Sequence, residues 1–341
     1  MAVTIIDVAR TANVSPSTVS RVIAKNPRIS NATCDKVLKI MEEMNYQPNI
    51  IARSLVNKST RIIGVIIPGT TEKAFQHPFF PEILRGISSV AHKSKYKILI
   101  SSVSCIKEEK QIINEIARGG ITEGVILLTS KIKDPSISEL IKINFPFVVV
   151  GRPDKHDEVN WVDNDNFSAG YELTQYFIKQ GHKEIAFIGV SSEFIVTLDR
   201  LEGYKKALID NGLPINKNLI VEGEFMGSTG VDLMKVLLDR GIKLTGVIAC
   251  DDFIAFGAIK LLMEYGLKVP EDIAVAGFNN VPLSSYFTPT LTSVEINAFS
   301  LGSKAFELLY ASMNNNYTSI NRAIIPAKLI IRNSTGYTGR D

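Results

Sequence analysis

The sequence predicts an all-α head of helix-turn-helix type, followed by an α/β body of two doubly wound lobes. Short segments with helical apolar spacing and helix-capping residues occupy the first 47 residues. From residue 61 onward, apolar runs typical of buried strands alternate with helical stretches, which favours parallel sheets covered by helices. A chain of 341 residues is long enough for this division. The predicted boundaries are 1–47 for the head, 48–60 for a hinge helix or linker, and 61–341 for the body.

Positive charge is concentrated in the N-terminal part of the chain. Residues 1–60 contain eight Lys and Arg against four Asp and Glu, a net charge of +4, whereas the remainder has a net charge of −1. A basic head on a nearly neutral body indicates a polyanionic partner for the head, although a solvated basic surface has the same composition.

The composition also excludes several classes of protein. Cys34, Cys105 and Cys250 are odd in number and far apart, so they predict neither a disulfide framework nor a metal site, and no metal or cofactor is expected. The N-terminus has no features of a secretion signal, and the longest apolar runs are too short to span a membrane. We therefore expect a cytoplasmic protein without a membrane segment.

The head shows start and stop signals for three short helices. Thr4, followed by an acidic residue three positions later, predicts the start of the first helix. Asn13 tolerates the left-handed conformation of a tight turn, and Ser15 and Pro16 suit the N-cap and first position of a second helix. A third helix is predicted from about residue 30. The second helix then offers polar side chains to a DNA major groove, although a docking or dimerisation module would have the same periodicity.

A long, ordered set of motifs decides between these alternatives. The motifs are Thr4-Ile5-x-Asp7-Val8-Ala9, Val14-Ser15-x-x-Thr18-Val19-Ser20-Arg21-Val22, Asn45-Tyr46-x-Pro48-Asn49 and Ala52-Arg53-Ser54-Leu55. With this spacing, residues 4–60 resemble the head of the lactose-repressor (LacI/GalR) family of DNA-binding transcriptional regulators.

The resemblance implies two kinds of DNA contact. The residues that match base-contacting positions of the family are Pro16, Ser17 and Arg21. Those that match phosphate-contacting positions are Thr4, Thr18, Ser20, Thr33, Tyr46 and Asn49. Hydroxyl groups suit phosphate oxygens, and arginine suits the O6/N7 edge of guanine. Since proline has no donor, base recognition is expected mainly from the other two side chains.

Residues 49–56 predict a short hinge helix that begins at Asn49. A helix of two turns is marginal in water unless it packs against something, and a plain linker is the alternative. The resemblance implies paired hinge helices of a homodimer, which place Ala52 and Leu55 at the minor groove of a pseudo-palindromic operator. Leu55 then wedges between the central base pairs.

The body contains too many βα units for one doubly wound domain, which predicts two similar lobes with a cleft between them. The predicted strands are 62–67, 97–102, 124–128, 147–150, 184–188, 246–250 and 273–278. The predicted helices are 81–95, 107–119, 166–180, 200–211, 228–240, 253–266 and 298–312. The resemblance implies the periplasmic-binding-protein fold, with a first lobe of about 61–161 and 292–322 and a second of about 162–291 and 323–338. The chain has no C-terminal leucine heptads, so we expect a dimer and no tetramer.

Ligand-binding residues are expected in loops at the carboxyl ends of strands. The positions that the resemblance assigns to the effector cleft are Phe79, Phe80, Asp165, Arg200, Phe225, Asp251 and Asn279, with Phe225 stacked on the ligand. Aromatic rings cover the apolar faces of a sugar, and charged and amide groups bind its hydroxyls. The alternative for each residue is structural: an aromatic core, acidic helix caps and an arginine in an ion pair.

Two departures from the family sequence restrict the class of ligand. Phe194 stands where purine-sensing members have arginine, and Asn279 replaces a common aspartate, which counts against a purine co-repressor. Residues 79–86 and 162–166 most resemble the maltose-regulator branch. We expect a repressor released from its operator by a maltose-like α-glucoside, with another sugar or a non-sugar metabolite as the alternative effector.

Two other classes of protein fit the sequence less well. A solute-binding protein would need an export signal and no basic head. An enzyme would need a phosphate-binding glycine motif or a catalytic pair, and the sequence offers neither, so no catalytic residue is expected.

Overall fold

The computed structural model describes residues 3–24, 26–47, 59–154, 157–224, 229–314 and 320–336. The chain divides into two compact units, Met1–Thr60 and Arg61–Asp341. The predicted hinge residues Asn49, Ala52 and Leu55 lie outside the described residues, as does Phe225.

The described part of the first unit is a bundle of three helices, each begun by a capping side chain. They are α1 (Ile5–Ala12), α2 (Pro16–Ile23) and α3 (Asn31–Glu43). The hydroxyl oxygens of Thr4, Ser15 and Ser30 each accept a hydrogen bond from a backbone N–H in the first turn of the helix that follows. Between α1 and α2 the chain turns at Asn13, whose φ of 51° is left-handed. A small apolar core holds the bundle together: Val8, Ala9, Ala12, Val19, Val22 and Val37.

Strands and helices alternate through most of the second unit. The strands are β1 (Ile62–Pro68), β2 (Lys97–Val103), β3 (Gly124–Leu127), β4 (Phe147–Val150), β5 (Asn160–Asp163), β6 (Ile185–Val190), β7 (Ile220–Gly223), β8 (Gly246–Ala249), β9 (Ala274–Phe278), β10 (Thr292–Glu295), β11 (Arg322–Ile324) and β12 (Lys328–Ile330). The α-helices are α4 (Thr71–Gln76), α5 (Phe79–Lys93), α6 (Ile106–Arg118), α7 (Pro135–Lys142), α8 (Asn166–Lys179), α9 (Ile195–Asp210), α10 (Gly230–Asp239), α11 (Asp252–Glu264) and α12 (Ala298–Asn314). Short 3-10 helices lie at Lys217–Leu219, Pro282–Ser285 and Asn333–Thr335.

These strands form two six-stranded sheets over the described residues, and each sheet with its helices is a lobe. The first has the order β11-β5-β4-β3-β1-β2, and the second has the order β12-β10-β9-β8-β6-β7. Neighbouring strands are parallel except β12, which runs antiparallel to β10. The four residues Gly246–Ala249 of β8 are all buried, as expected for a strand covered on both faces.

The chain passes between the two sheets three times within the described residues: after β5, after β10 and between β11 and β12. Strand Thr292–Glu295 was predicted to lie in the first lobe, but it pairs with β9 in the second sheet. The prediction was wrong here because a four-residue strand carries no sign of its neighbour, whereas α12 directly after it packs in the first lobe. A single side chain joins the three passages, since Nδ2 of Asn164 donates to the carbonyl oxygens of Ile296 (3.0 Å) and Ile325 (2.8 Å).

The differences from the predicted elements concern short segments. Strands β5, β7, β10, β11 and β12 were not predicted, nor were helices α4 and α7. None of the described helices is long and apolar enough to cross a membrane.

Candidate functional site

Helix α2 presents all three predicted base-contacting residues of the head. Pro16, Ser17 and Arg21 are exposed, and Thr18 is half-buried beside them. The hydroxyl of Ser15 lies 2.7 Å from that of Ser17 and 2.9 Å from that of Thr18. Hydroxyl groups therefore cluster at the start of a helix, where the backbone N–H groups favour a negative charge.

The predicted phosphate-contacting residues of the head are spread over its three helices. The Thr4 hydroxyl donates to Asp7 (2.7 Å), and the Thr33 hydroxyl lies 2.9 Å from that of Ser30. Ser20 is half-buried on α2, and Tyr46 packs against the core of the bundle with its side chain half-buried. Because several of these groups already take part in local hydrogen bonds, the fold holds them in place before any partner arrives.

The body contains a cavity of about 480 Å³ bordered by both lobes. It lies at the carboxyl ends of the strands, where α/β sheets bind their ligands. Five of the predicted effector residues line it: Phe79, Phe80, Arg200, Asp251 and Asn279. Asp165 does not line it, because its exposed carboxylate instead caps α8 and accepts from the N–H of Ser168 (2.9 Å). Asp165 is therefore an acidic helix cap, which was the structural alternative for this residue. Asp163 and Asn164, in the same turn, line the cavity instead.

Arg200 is the most constrained charged group of the cavity, with only 5% of its surface exposed. Its Nε donates to Oδ1 of Asn166 (2.9 Å), and its Nη1 donates to the carbonyl oxygen of Cys250 (2.6 Å). The guanidinium carbon lies 4.2 Å from the centre of the Phe278 ring. Burial lowers the pKa of Arg200 from its ordinary value. The guanidinium is therefore held by neutral groups, and its position is set without a ligand.

Asp163 connects this arginine to the first passage between the lobes. The carboxylate accepts from the backbone N–H groups of Arg152 (2.7 Å) and Asn164 (2.7 Å) and from Nδ2 of Asn166 (2.9 Å). Complete burial raises the pKa of Asp163 to about 6, against the opposing effect of these donors and of Arg200. One side chain, Asn166, thus bonds both members of a buried, oppositely charged pair.

Two further carboxylates follow β8. Asp251 caps α11 by accepting from the N–H of Ile254 (2.8 Å), and its second oxygen lies 3.8 Å from Nε2 of His77. Burial raises the pKa of Asp251, but His77, the helix N–H and Arg200 together outweigh it, so that the pKa lies below its ordinary value. Burial raises the pKa of Asp252 to about 7, although the carboxylate accepts three hydrogen bonds.

Contacts between the lobes border the cavity on two sides. On one side Arg152 forms two parallel hydrogen bonds to Asp199, of 3.0 and 2.6 Å. On the other, the ring of His77 lies 5.4 Å from that of Phe253. Both contacts join residues of different lobes, so the lobes touch one another beside the cavity.

Several lining residues were not among the predicted effector residues. His77 precedes the predicted Phe79, and Phe253 follows the predicted Asp251 by two positions, so proximity in sequence was the available signal. Ser130, after β3, has no such signal in the sequence. Phe194, the position that separates the chain from purine-sensing members, also lines the cavity.

Comparison with known proteins agrees with this architecture. Residues 4–49 match the model of bacterial regulatory proteins of the lacI family, and residues 174–335 match that of a periplasmic binding protein-like domain. The HTH-type transcriptional regulator MalR of Streptococcus pneumoniae is 38% identical over 338 residues, covering 97% of this chain and 99% of MalR. The chain belongs to the LacI family of bacterial regulatory proteins. It is a DNA-binding transcriptional regulator, which confirms the predicted family and class of function.

Solved structures resemble this LacI-family regulator over nearly its whole length. The lac repressor dimer bound to operator and the anti-inducer ONPF has a TM-score of 0.85 at 25% identity, covering 98% of this chain and 99% of that one. The transcriptional regulator CelR in complex with cellobiose has a TM-score of 0.76 at 29% identity, covering 97% and 99%. The two-lobed fold of the regulator is thus that of the lac repressor, as predicted.

Proposed function

We propose that this regulator is a repressor, and not an enzyme, that binds a pseudo-palindromic operator in the cytoplasm as a homodimer. A maltose-like α-glucoside enters the cavity and releases it from the DNA. The observation that carries the proposal is the cavity itself, with aromatic rings on one wall and a buried, anchored arginine on the other.

The chemistry of the cavity suits a neutral sugar. Phe79 and Phe80 offer ring faces to the apolar C–H surfaces of a pyranose, and Arg200, Asp251 and Asn279 offer groups that bind hydroxyls. Its volume lies within the usual range for small-molecule sites, about 300–1,000 Å³. The bound cellobiose of CelR supports a disaccharide, and the resemblance of residues 79–86 and 162–166 to the maltose-regulator branch supports an α-linkage.

The cavity can influence DNA only through two arrangements of the lobes. A ligand that contacts both walls binds the closed arrangement more tightly than an open one and shifts the population towards it. The hinge helix with Asn49, Ala52 and Leu55 is the element through which we propose that the shift reaches the DNA; this assignment rests on the family resemblance.

Base recognition is assigned to Ser17 and Arg21, with an apolar contact from Pro16. Phosphate contacts are assigned to Thr4, Thr18, Ser20, Thr33 and Tyr46. The exposed position of Arg21 on α2 supports its role, since its side chain has no hydrogen bond or ion pair to another residue in the described part of the chain.

The test begins with an operator selected from a random DNA pool by the full-length protein. Fluorescence anisotropy then measures affinity for this operator with and without maltose, and release by millimolar maltose is expected. A panel of cellobiose, other disaccharides, monosaccharides, a purine and an amino acid distinguishes other effectors. If only the purine or the amino acid released the DNA, the proposal of a sugar effector would be wrong, whereas the assignment as a DNA-binding regulator would still hold.

Arg21→Ala tests the head. We expect a loss of about 1–3 kcal/mol per subunit, confined to one base pair of each half-site. Lys39→Ala is the matched control, because Lys39 is an exposed cation of the same bundle, 3.9 Å from Glu43. Equal losses of specificity in both variants would contradict the assignment of α2 as the recognition helix.

A further inference from the structure

Two buried polar atoms on the first-lobe wall of the cavity have no hydrogen-bond partner among the described residues. They are Oγ of Ser130 and Nδ1 of His77. Both residues line the cavity, and Ser130 is only 5% exposed. Buried side-chain polar atoms are nearly always hydrogen-bonded, so two unpartnered atoms on one wall indicate a partner that the protein itself does not supply.

The surroundings of His77 determine whether the missing partner of Nδ1 must be a hydrogen-bond donor or an acceptor. Nε2 of His77 faces Oδ2 of Asp251 at 3.8 Å, and a carboxylate can only accept a hydrogen bond. In the neutral imidazole the single proton is therefore assigned to Nε2, which leaves Nδ1 with a lone pair. A group that satisfies Nδ1 has to donate a hydrogen.

The surroundings of Ser130 leave its hydroxyl free to turn towards the cavity. The backbone carbonyl of Ser130 accepts from the N–H of Ile195 in the other lobe (3.2 Å), so its main chain is held in place. Gly151 lies alongside, and a Cβ at that position would stand 3.4 Å from Cβ of Ser130. With φ of +111°, position 151 also favours glycine, so the space beside the hydroxyl is not filled by a neighbouring side chain.

We propose that His77 and Ser130 are ligand-contacting residues that select a neutral polyhydroxyl compound. Nδ1 of His77 accepts from one hydroxyl of the ligand, and Oγ of Ser130 bonds to a second hydroxyl. Arg200, Asp251 and Asn279 bind the opposite side of the ligand. A carboxylate placed against Nδ1 of the neutral imidazole would have no hydrogen to donate, so in this form the pair also discriminates against acidic sugars. This inference rests on the proposed function, because it concerns the same cavity.

The experiment uses full-length protein and isothermal titration with maltose. Ser130→Ala should bind maltose about 5- to 100-fold more weakly, the range expected when a buried ligand hydroxyl loses its partner. Ser88→Ala, on the exposed face of α5, is the matched control and should bind as the wild type does. The melting temperature of ligand-free Ser130→Ala should not fall, because the variant removes an atom that has no partner.

Two substitutions at His77 separate its two nitrogens. Asn places an acceptor, Oδ1, where Nδ1 stands, whereas Gln places its amide near the position of Nε2 and leaves no acceptor at Nδ1. We expect His77→Asn to remain within about fivefold of the wild type and His77→Gln to lose about 5- to 100-fold in affinity. His92→Asn, at an exposed histidine of α5, is the control.

The affinities of maltose analogues that each lack one hydroxyl distinguish a ligand contact from a structural role. One analogue should bind to the wild type and to Ser130→Ala with equal affinity, because it lacks the hydroxyl that Ser130 contacts. A structural defect would instead weaken all analogues alike, and that result would overturn the assignment.

The outcomes distinguish this inference from the proposed function. If the wild type binds maltose and both Ser130→Ala and His77→Gln bind it equally well, the inference is wrong and the maltose site stands. If another neutral saccharide binds in place of maltose, the proposed effector is wrong, and the same variants titrated with that saccharide decide the inference. Binding of maltobionic acid or a sugar phosphate, with no binding of neutral saccharides, would overturn both.

Discussion

The two walls of the cavity differ in how completely their polar groups are bonded before a ligand arrives. On the second-lobe wall, Arg200 is bonded to Asn166 and Cys250, and Asp252, which stands between the lining residues Asp251 and Phe253 but is itself fully buried, accepts three hydrogen bonds. On the first-lobe wall, Ser130 and His77 each have a buried atom without a hydrogen-bond partner among the described residues. One wall is preorganised by the protein, and the other is completed by the ligand. Substitutions on the two walls should therefore differ in their effect on the ligand-free protein.

Arg200→Ala should cause the largest loss of stability. It removes a buried cation and leaves Oδ1 of Asn166 and the carbonyl of Cys250 without a donor, so the free energy of unfolding should fall by about 3–5 kcal/mol. Chemical denaturation measures this change. Arg118→Ala, which breaks the more exposed pair with Glu139, should cost at most about 1 kcal/mol. Similar losses in the two variants would show that the second-lobe wall is not preorganised.

Asp252→Asn should change how stability depends on pH. The pKa of Asp252 is about 7 in the folded protein, whereas an unfolded aspartate ionises near 3.9. Between these values the folded state binds a proton that the unfolded state lacks, so this contribution is present at low pH and is lost as pH rises through 7. From pH 5 to pH 8, the wild type should lose on the order of 1–3 kcal/mol relative to Asp252→Asn.

The control for the pH prediction is Asp239→Asn, at an exposed position on α10. Its difference from the wild type should be the same at pH 5 and pH 8. If Asp252→Asn behaved in the same way, Asp252 would not hold a proton in the folded state at pH 5.

The pair of Arg152 and Asp199 should contribute less, because it spans the lobes at a partly solvated site. A double-mutant cycle of Arg152→Gln and Asp199→Asn should give a coupling energy of about 1 kcal/mol. The same variants should weaken maltose binding up to about tenfold, since they destabilise the closed arrangement. A coupling energy of zero together with wild-type affinity for maltose would show that this pair does not stabilise the closed arrangement of the lobes.

Ser130→Ala should have the smallest effect on the ligand-free protein. Removing an unpartnered hydroxyl leaves no other group unsatisfied, so the free energy of unfolding should change by less than about 0.5 kcal/mol. A loss of about 2 kcal/mol would mean that this hydroxyl has a structural partner, and the contrast between the walls would disappear.

The head and much of the cavity could be predicted from sequence because their signals are local. Capping residues, Pro16 and apolar spacing define the helices of the head, and Phe79 and Arg200 belong to helices that follow recognisable apolar strands, β1 and β6. Strands such as β5 and β10 were missed because polar residues interrupt their apolar runs, whereas the equally short β4, which was predicted, is wholly apolar.

The errors in predicting which residues line the cavity have a different cause. Asp163 and Asp165 are two positions apart, and the sequence does not show which one lines a site and which one caps a helix. The structure separates them: Asp163 ends β5 and is buried, whereas Asp165 begins α8 and is exposed. Ser130 could not be recognised at all, because a missing partner is a property of three-dimensional surroundings.

The three passages between the lobes also determine when, during synthesis, the protein becomes able to sense a ligand. The head has its own core within residues 8–37, so it can fold as soon as that segment has left the ribosome. The first sheet, by contrast, is incomplete until β11 has been made, and the second until β12 has been made. A nascent or prematurely ended chain would therefore carry a finished DNA-binding unit and an unfinished cavity. Such a fragment could bind DNA but could not respond to sugar. Because of the order of the strands, the regulator can respond to sugar only after the whole chain has been translated.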